Sequence, residues 1–596
     1  MSSIQVDPAT VSKDKDLFQH YLKTYYEAHK NTTGHIKYGT AGFRDHAVNL
    51  PHVCLRVGIF TGLVSKIDSK KVLGITITAS HNPAQDNGIK QTDFDGGMIR
   101  QVLEDQVNHF VTEQDLSKAI DDLLQILNKI DGFNISNEGM VFIGRDTRES
   151  GPLLNDLMIQ GIESVGSKAK DFGEVTTPMI HWLVRHFNLE SHDFERSTPA
   201  SEIVKAYHEF FINVFNKFFE NLPQAYQKKE GENILLDCSN GIGGIHIQKF
   251  LENMKDKYNV ITINTDPSKL NVNCGAEFLH KKQTYPTQAV DKLKQLDLAK
   301  TRCLGFDGDA DRIVYYLPVE GFEKIKLLDG DKIISLYALM FQTLFRDIHT
   351  LYEQVKSEVQ IMLNEDLTKW SIGMVQTPYA NGSSTIYLRD TLKVLTRMSP
   401  NGVKNLHPRA HEYDIGIYCE SNGHGTFTVK DERMETLKSL LNIADTLKSQ
   451  YPDNQKVQQL AKLLNLAYYF PATQNQINGD AMTNFLCIEE ALAYLGLSAE
   501  QWLNIYQDLH CLNSTVKIRD RSKMVVSENQ DVILQPAELQ EEINQIVKAN
   551  PGIRSFVRPS GTEDIVRVYV EADSIEKVKD ITEQVSKKVI ANKVIN

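Results

Sequence analysis

The chain has 596 residues, 41% of them hydrophobic and 24% charged, with a formal net charge of -12. At roughly 100–200 residues per domain this length divides into about three to five units, and the apolar content excludes global disorder. The acidic balance excludes a nonspecific nucleic-acid binder, and any anionic ligand must be held by cations gathered locally against the overall field.

The N-terminal stretch is polar and lacks an apolar h-region, so no secretory signal is expected. Seven cysteines occur singly, at 54, 238, 274, 303, 419, 487 and 511, without a C-x-x-C pair. That usage predicts a reduced, cytoplasmic protein with no disulfide framework.

The first informative element is the run 72–78 (VLGITIT), a predicted buried strand that ends in Ala79-Ser80-His81-Asn82-Pro83. Small neighbours leave the Ser80 hydroxyl accessible, and Pro83 fixes the loop exit. A free serine needs activation or a strong electrophile. His81 reads either as its base or as a hydrogen-bonding loop histidine. No G-x-S-x-G elbow surrounds Ser80, which disfavours a hydrolase triad and favours a phosphoryl carrier beside a metal.

A polar stretch at 190–198 suggests a boundary, and 288–298 has a helical pattern. The predicted strand 303–306 then enters Asp307-Gly308-Asp309-Ala310-Asp311-Arg312, and 313–317 leaves it as a strand. Carboxylates at i, i+2 and i+4 of an extended loop face one side, where they repel unless a cation neutralises them. Hard oxygen donors select Mg²⁺ or Ca²⁺. An EF-hand is excluded, because its sixth and twelfth positions should be Gly and Glu and are here Arg312 and Pro318. A phosphatase with an Asp nucleophile leaves Ser80 unexplained. A solvated acidic turn is the plain alternative, weakened by the strands on both sides.

The stretch 317–326 reads as a linker. The longest apolar segment, 333–345, is too short to span a membrane and contains Ser335 and Gln342, so it reads as a buried helix. The stretch 346–369 looks expanded and is expected to be a peripheral insertion. The strand 414–419 (DIGIYC) runs into Glu420-Ser421-Asn422-Gly423-His424-Gly425, and 433–449 is helical in pattern. Polar segments at 450–459 or 471–478 precede the C-terminal part.

There, 556–557 leads into Arg558-Pro559-Ser560-Gly561-Thr562, after which 565–572 alternates, with Val566, Val568 and Val570 on one face and Arg567 on the other. A guanidinium fork, two hydroxyls and the N–H groups of a Gly-bearing turn suit a phosphate dianion, with Arg567 as a second contact. An ordinary turn before an amphipathic strand is the alternative, and two arginines bracketing it in an acidic chain favour phosphate. Strands alternating with helices imply an α/β fold with much parallel sheet and with chemistry at the strand ends.

Taken together, YGTAGFR (38–44), TASHNP (78–83), DNGIK (86–90), GRDTR (144–148), TTP (176–178), DCSNGIGG (237–244), CGAEF (274–278), FDGDADRIVYY (306–316), LDGDKI (328–333), YANGSST (379–385), ESNGHG (420–425), NGDAM (478–482) and RPSGTEDIVRVYVEA (558–572) resemble the α-D-phosphohexomutase superfamily nearly end to end. CGAEF, YANGSST and the ESNGHG loop resemble its acetylglucosamine branch, which commonly has Ala where this chain has Ser421. The resemblance implies four domains around a central cleft, three related α/β mixed-sheet units and a smaller C-terminal α+β domain, expected at 1–190, 191–318, 319–475 and 476–596.

It also implies roles. Ser80 is the expected phosphoserine, and Asp307, Asp309 and Asp311 hold one Mg²⁺ together with an oxygen on Ser80. Arg44, His81, Lys90 and Arg312 line the transfer site, with Lys90 or His81 as general acid/base. Glu420, Asn422 and His424 contact the sugar. Arg558, Ser560, Gly561, Thr562 and Arg567 hold the distal phosphate. The implied reaction interconverts the 6- and 1-phosphates of N-acetylglucosamine through a 1,6-bisphosphate, supplying UDP-N-acetylglucosamine synthesis. The alternatives are a phosphoglucomutase or phosphomannomutase, or an inactive sugar-phosphate-binding protein. A monomer is expected, with a small-molecule sugar phosphate as ligand and no nucleic-acid or membrane partner.

Overall fold

The computed structural model describes residues 36–39, 42–189, 194–223, 232–360, 362–363, 365–560 and 564–596. The aliphatic runs read as strands become strands, and they pair into four main sheets. The first sheet contains β1 (Tyr38–Gly39), β2 (Gly42–His46), β3 (Leu73–Ile77), β4 (Asp86–Thr92), β5 (Met140–Arg145) and β6 (Lys168–Glu174), in the order β1-β2-β4-β3-β5-β6. The second contains β7 (Asn233–Asp237), β8 (Asn259–Ile263), β9 (Thr301–Phe306), β10 (Ile313–Leu317) and β11 (Lys326–Leu328), in the order β11-β10-β9-β7-β8. The third contains β12 (Ile372–Gln376), β13 (Leu395–Met398), β14 (Ile415–Cys419) and β15 (Gly425–Val429), in the order β13-β12-β14-β15.

One arrangement recurs in all three. A completely buried strand (β3, β9 or β14) runs parallel to one neighbour and antiparallel to the strand that follows it in the chain. The loop at that reversal carries Ser80, the three aspartates or Glu420. The orders β10-β9-β7-β8 and β15-β14-β12-β13 are the same path, while β4-β3-β5-β6 keeps the spatial order with the loop-bearing strand first in the chain. Strands buried on both faces need no polar alternation, which is why each reads as a continuous apolar run.

The C-terminal sheet is antiparallel, β16 (His510–Lys517), β20 (Ile565–Ala572) and β19 (Arg554–Pro559), with β20 in the middle. Val566, Val568 and Val570 bury their shared face against Val578, Ile581 and Val585 of helix Ile575–Ala591. A separate pair, β17 (Val525–Val526) and β18 (Ile533–Gln535), flanks a polar turn. By compactness the chain forms two units, Met1–Leu327 with Ala472–Cys487, and Leu328–Pro471 with Ile488–Asn596. No helix among the described residues is long and apolar enough to cross a membrane.

Three expectations change. The helix predicted over 288–298 is only Ala289–Leu293, because the Gln295 and Leu296 amides turn back to carbonyls three residues earlier and Asp297 caps a separate turn, Leu298–Lys300. The stretch 346–369 begins as the buried end of helix Gly330–Val355, where Phe345, Ile348, Leu351 and Val355 share an inward face, so this part is core rather than insertion. The polar segment 450–459 already starts helix Gln455–Ala472, and Thr473, Gln474 and Asn475 beyond it are buried rather than linker-like. Of the first linker, residues 190–193 lie outside the described residues.

Candidate active site

Ser80 sits at the end of β3 with φ 53, a left-handed backbone that non-glycine residues rarely adopt outside special sites. Its hydroxyl donates to Asp307 Oδ2 at 2.6 Å, across 227 residues of sequence. The loop is held from behind by Arg148, whose side chain is completely buried. Arg148 donates to the carbonyls of Ser80, Asn82, Pro83 and Asp86 and to the Asp146 carboxylate. Asn271 Nδ2 adds bonds of 2.8 Å to the Ser80 and Asn82 carbonyls.

Asp307, Asp309 and Asp311 lie between β9 and β10, all buried, with one oxygen of each within 4.8 Å of the others. Asp307 Oδ1 accepts the Asp311 and Arg312 amides, which curls the loop so that alternate side chains converge. Gly308 permits this approach, since a Cβ there would stand 2.5 Å from the Ser80 carbonyl oxygen. Asp309 Oδ2 accepts from Thr177 Oγ1 at 2.5 Å and from Lys90 Nζ at 2.7 Å, and Lys90 also reaches Asp311 Oδ2 at 2.6 Å. The Ala310 carbonyl accepts the Ala481 amide, so the TTP and NGDAM motifs serve as props of the acidic loop.

Burial and the neighbouring Asp311 and Asp309 carboxylates push Asp307 well above the ordinary carboxylate range. Burial and Asp311 also oppose ionisation of Asp309, but Lys90 and Thr177 outweigh them and hold it low. Lys90 is held up by Asp309 and Asp311 against the cost of its own burial. Asp309 Oδ1 is buried with no hydrogen-bond partner among the described residues. Three converging carboxylates with an oxygen left over suit a hard divalent cation, and the Ser80 oxygen is placed to join them.

A cationic wall stands beside this group. Arg44 on β2 is partly buried near Arg312, and burial together with Arg312 lowers its pKa. Arg312 Nη1 donates to Glu277 Oε2 at 2.9 Å, and Lys281 pairs with the other oxygen at 2.6 Å. His81 Nε2 lies 3.9 Å from Glu277, and burial and Arg312 push the ring down to about 3. Arg44 and Arg312 oppose each other's charge, and an anion placed against both would relieve that repulsion. Glu277, Arg148, Asn271 and Thr177 carried no role in the sequence reading. Their only signal was position inside, or just before, the short motifs, because each acts on residues far away in the chain.

The remaining predicted residues lie in the second unit. The Glu420 and His424 backbones close a tight turn, and Asn422 Oδ1 accepts the His424 amide at 3.0 Å. Gly330 of LDGDK is required beneath it, as a Cβ there would stand 2.0 Å from the Glu420 carbonyl oxygen. Glu420 Oε1 accepts the Gly402 amide at 2.9 Å. Arg558 and Arg567 are direct cross-strand partners on β19 and β20. Like charges directly opposite destabilise a sheet unless an anion joins them. Ser560 turns its amide to the Ile565 carbonyl and its own carbonyl to Arg521. Gly561 and Thr562 lie outside the described residues.

A hydroxyl bonded to one of three clustered carboxylates, on strand-end loops of repeated α/β sheets, is the arrangement of a metal-assisted phosphoryl-transfer enzyme. Family models agree. Residues 63–118 and 103–194 match phosphoglucomutase/phosphomannomutase α/β/α domain I, and 516–588 match the C-terminal domain of that group. Residues 197–314 and 329–497 match domains II and III of phosphoacetylglucosamine mutase AMG1. The phosphoacetylglucosamine mutase of Sus scrofa is 36% identical over 557 residues, covering 92% of this chain and 93% of its own. Among solved structures, an N-acetylglucosamine-phosphate mutase of the α-D-phosphohexomutase superfamily in its substrate complex is similar at TM-score 0.82 and 34% identity, over 96% of this chain and 99% of that one. The Aspergillus fumigatus enzyme in complex with GlcNAc-6P and magnesium is similar at TM-score 0.81 and 31% identity, over 96% and 98%. The chain belongs to the phosphoacetylglucosamine mutase family.

Proposed function

We propose that the protein interconverts N-acetylglucosamine 6-phosphate and N-acetylglucosamine 1-phosphate through phospho-Ser80 and a 1,6-bisphosphate, and so feeds UDP-N-acetylglucosamine synthesis. The observation that carries this reading is the 2.6 Å bond between Ser80 Oγ and Asp307. The free sugar hydroxyl attacks the phosphorus of phospho-Ser80 and the P–Oγ bond breaks. The hydroxyl proton leaves to a base, and Oγ regains a proton. The bisphosphate then turns end for end and returns its other phosphoryl group to Ser80.

A magnesium ion held by Asp307, Asp309, Asp311 and an oxygen on Ser80 would neutralise charge on the phosphoryl group. Arg148 and Asn271 fix the serine backbone, while Arg44 and Arg312 offer donors for the phosphoryl oxygens. Either Lys90 or His81 is read as the group that moves the proton. Glu420, Asn422 and His424 are read as sugar contacts, and Arg558, Ser560, Gly561, Thr562 and Arg567 as the distal phosphate site. The chain is read as a cytoplasmic monomer of four domains, with seven cysteines and no disulfide among the described residues, in keeping with a reducing compartment.

The test is turnover of acetylated against non-acetylated hexose phosphates with Mg²⁺ and the matching bisphosphate. Higher kcat/KM for the acetylated sugar is expected. A preference for glucose or mannose phosphate would move the chain's activity to the general mutases.

A further inference from the structure

Arg558 has two neighbours that ligand binding alone does not explain. Its guanidinium lies over the Tyr379 ring, 5.4 Å from the centroid, and Nε donates to Tyr379 Oη at 2.9 Å. Nη1 donates to Gln530 Oε1 at 2.5 Å. Together these contacts fix the plane and the roll of the fork.

Gln530 sits in the turn between β17 and β18 with φ 65, a backbone state that disfavours a long side chain. The turn is closed by the Ser527 amide to the Val532 carbonyl and the Gln530 amide to the Ser527 carbonyl. It is anchored by Arg409, which pairs with Glu528 and donates to Asn529 Oδ1 at 3.2 Å and to the Met398 carbonyl at 2.7 Å. Gln530 Oε1 also accepts from Asn401 Nδ2 at 3.3 Å, and the next amide, Gly402, donates to Glu420. A continuous path therefore joins the phosphate arginine to the sugar-loop acid within one unit.

We infer that Gln530 is a positioning residue, which aims the Arg558 guanidinium at the distal phosphate and sets its register against the Glu420 loop. The inference rests on the reading of Arg558 as a phosphate ligand. A neutral amide oxygen orients the fork without cancelling its charge. A carboxylate there would form an ion pair and compete with phosphate.

The kinetics of wild type, Gln530→Ala, Gln530→Asn, Gln530→Glu, Arg558→Ala and the Gln530→Ala/Arg558→Ala pair test this with N-acetylglucosamine 6-phosphate. Gln530→Ala should raise KM about threefold to tenfold with a smaller fall in kcat. Gln530→Asn keeps a residue suited to the left-handed turn but cannot reach Arg558, and should match Ala. Gln530→Glu should raise KM further. In the Arg558→Ala background the Ala change should add less than about twofold, because its effect runs through the arginine. Wild-type KM in Gln530→Ala, an undiminished effect without Arg558, or a Glu variant as good as wild type would each overturn the inference. If the wild type turns over no N-acetylglucosamine phosphate, the proposed reaction fails separately. Calorimetry with inorganic phosphate then decides the role of Gln530, with weaker binding in Gln530→Ala expected and equal binding contradicting it.

Discussion

Ser80 accounts for little of the fold's stability, since its side chain makes a single hydrogen bond to Asp307. Ser80→Ala should therefore fold normally and lose roughly a thousandfold or more in kcat, as measured by coupled assay alongside thermal melting. Arg148 is the opposite case. It is buried with five side-chain bonds, and a lysine cannot reproduce the fork. Arg148→Lys should both lower kcat and cost about 1–3 kcal/mol in denaturant unfolding, because a lysine keeps the charge beside Asp146 but leaves some of the four carbonyls without a donor. The meeting of Ser80 with Asp307, Asp309 and Asp311 was legible in the sequence because the two loop motifs carry the residue types themselves. Arg148, Asn271 and Gln530 were not, since each acts through contacts whose partners lie dozens to nearly two hundred residues away.

At the scale of elements, the strands were readable because burial on both faces leaves an unbroken apolar run, as in Leu73–Ile77 and Ile415–Cys419. Helix ends were harder. Nothing local in 288–298 announces that the Gln295 and Leu296 amides fold back early. That each of the three loops closes a hairpin went unread, because it depends on which strands pair rather than on composition. This placement predicts that loop-supporting glycines matter more than their surroundings suggest. Gly330→Ala should push the Glu420 carbonyl aside and raise KM for the sugar phosphate severalfold, with a stability loss of about 1–3 kcal/mol. Unchanged KM would show that the Glu420 turn is not held by that helix start.

For the molecule as a whole, buried histidines set part of the acid response. Burial pushes His52 and His208 down to about 4, from an ordinary 6.5. Between those values the unfolded chain binds protons that the folded one refuses, so stability falls as pH drops from about 6.5 toward 4. Asp237, pushed up to about 6 by burial, acts in the opposite direction below pH 6. Comparing melting curves of wild type and His208→Gln separates the two, with a shallower acid slope expected for the variant. Equal slopes would mean that the folded ring takes up its proton as readily as the unfolded one.

The central claim is that Ser80 carries the phosphoryl group. Its most direct test is to incubate the protein with Mg²⁺ and a radiolabelled hexose 1,6-bisphosphate, map the labelled peptide, and then add N-acetylglucosamine 6-phosphate. The label should sit on Ser80 alone, be absent from Ser80→Ala, and pass to the sugar on addition. Label on another residue, or label on Ser80 that the sugar phosphate cannot discharge, would contradict the account.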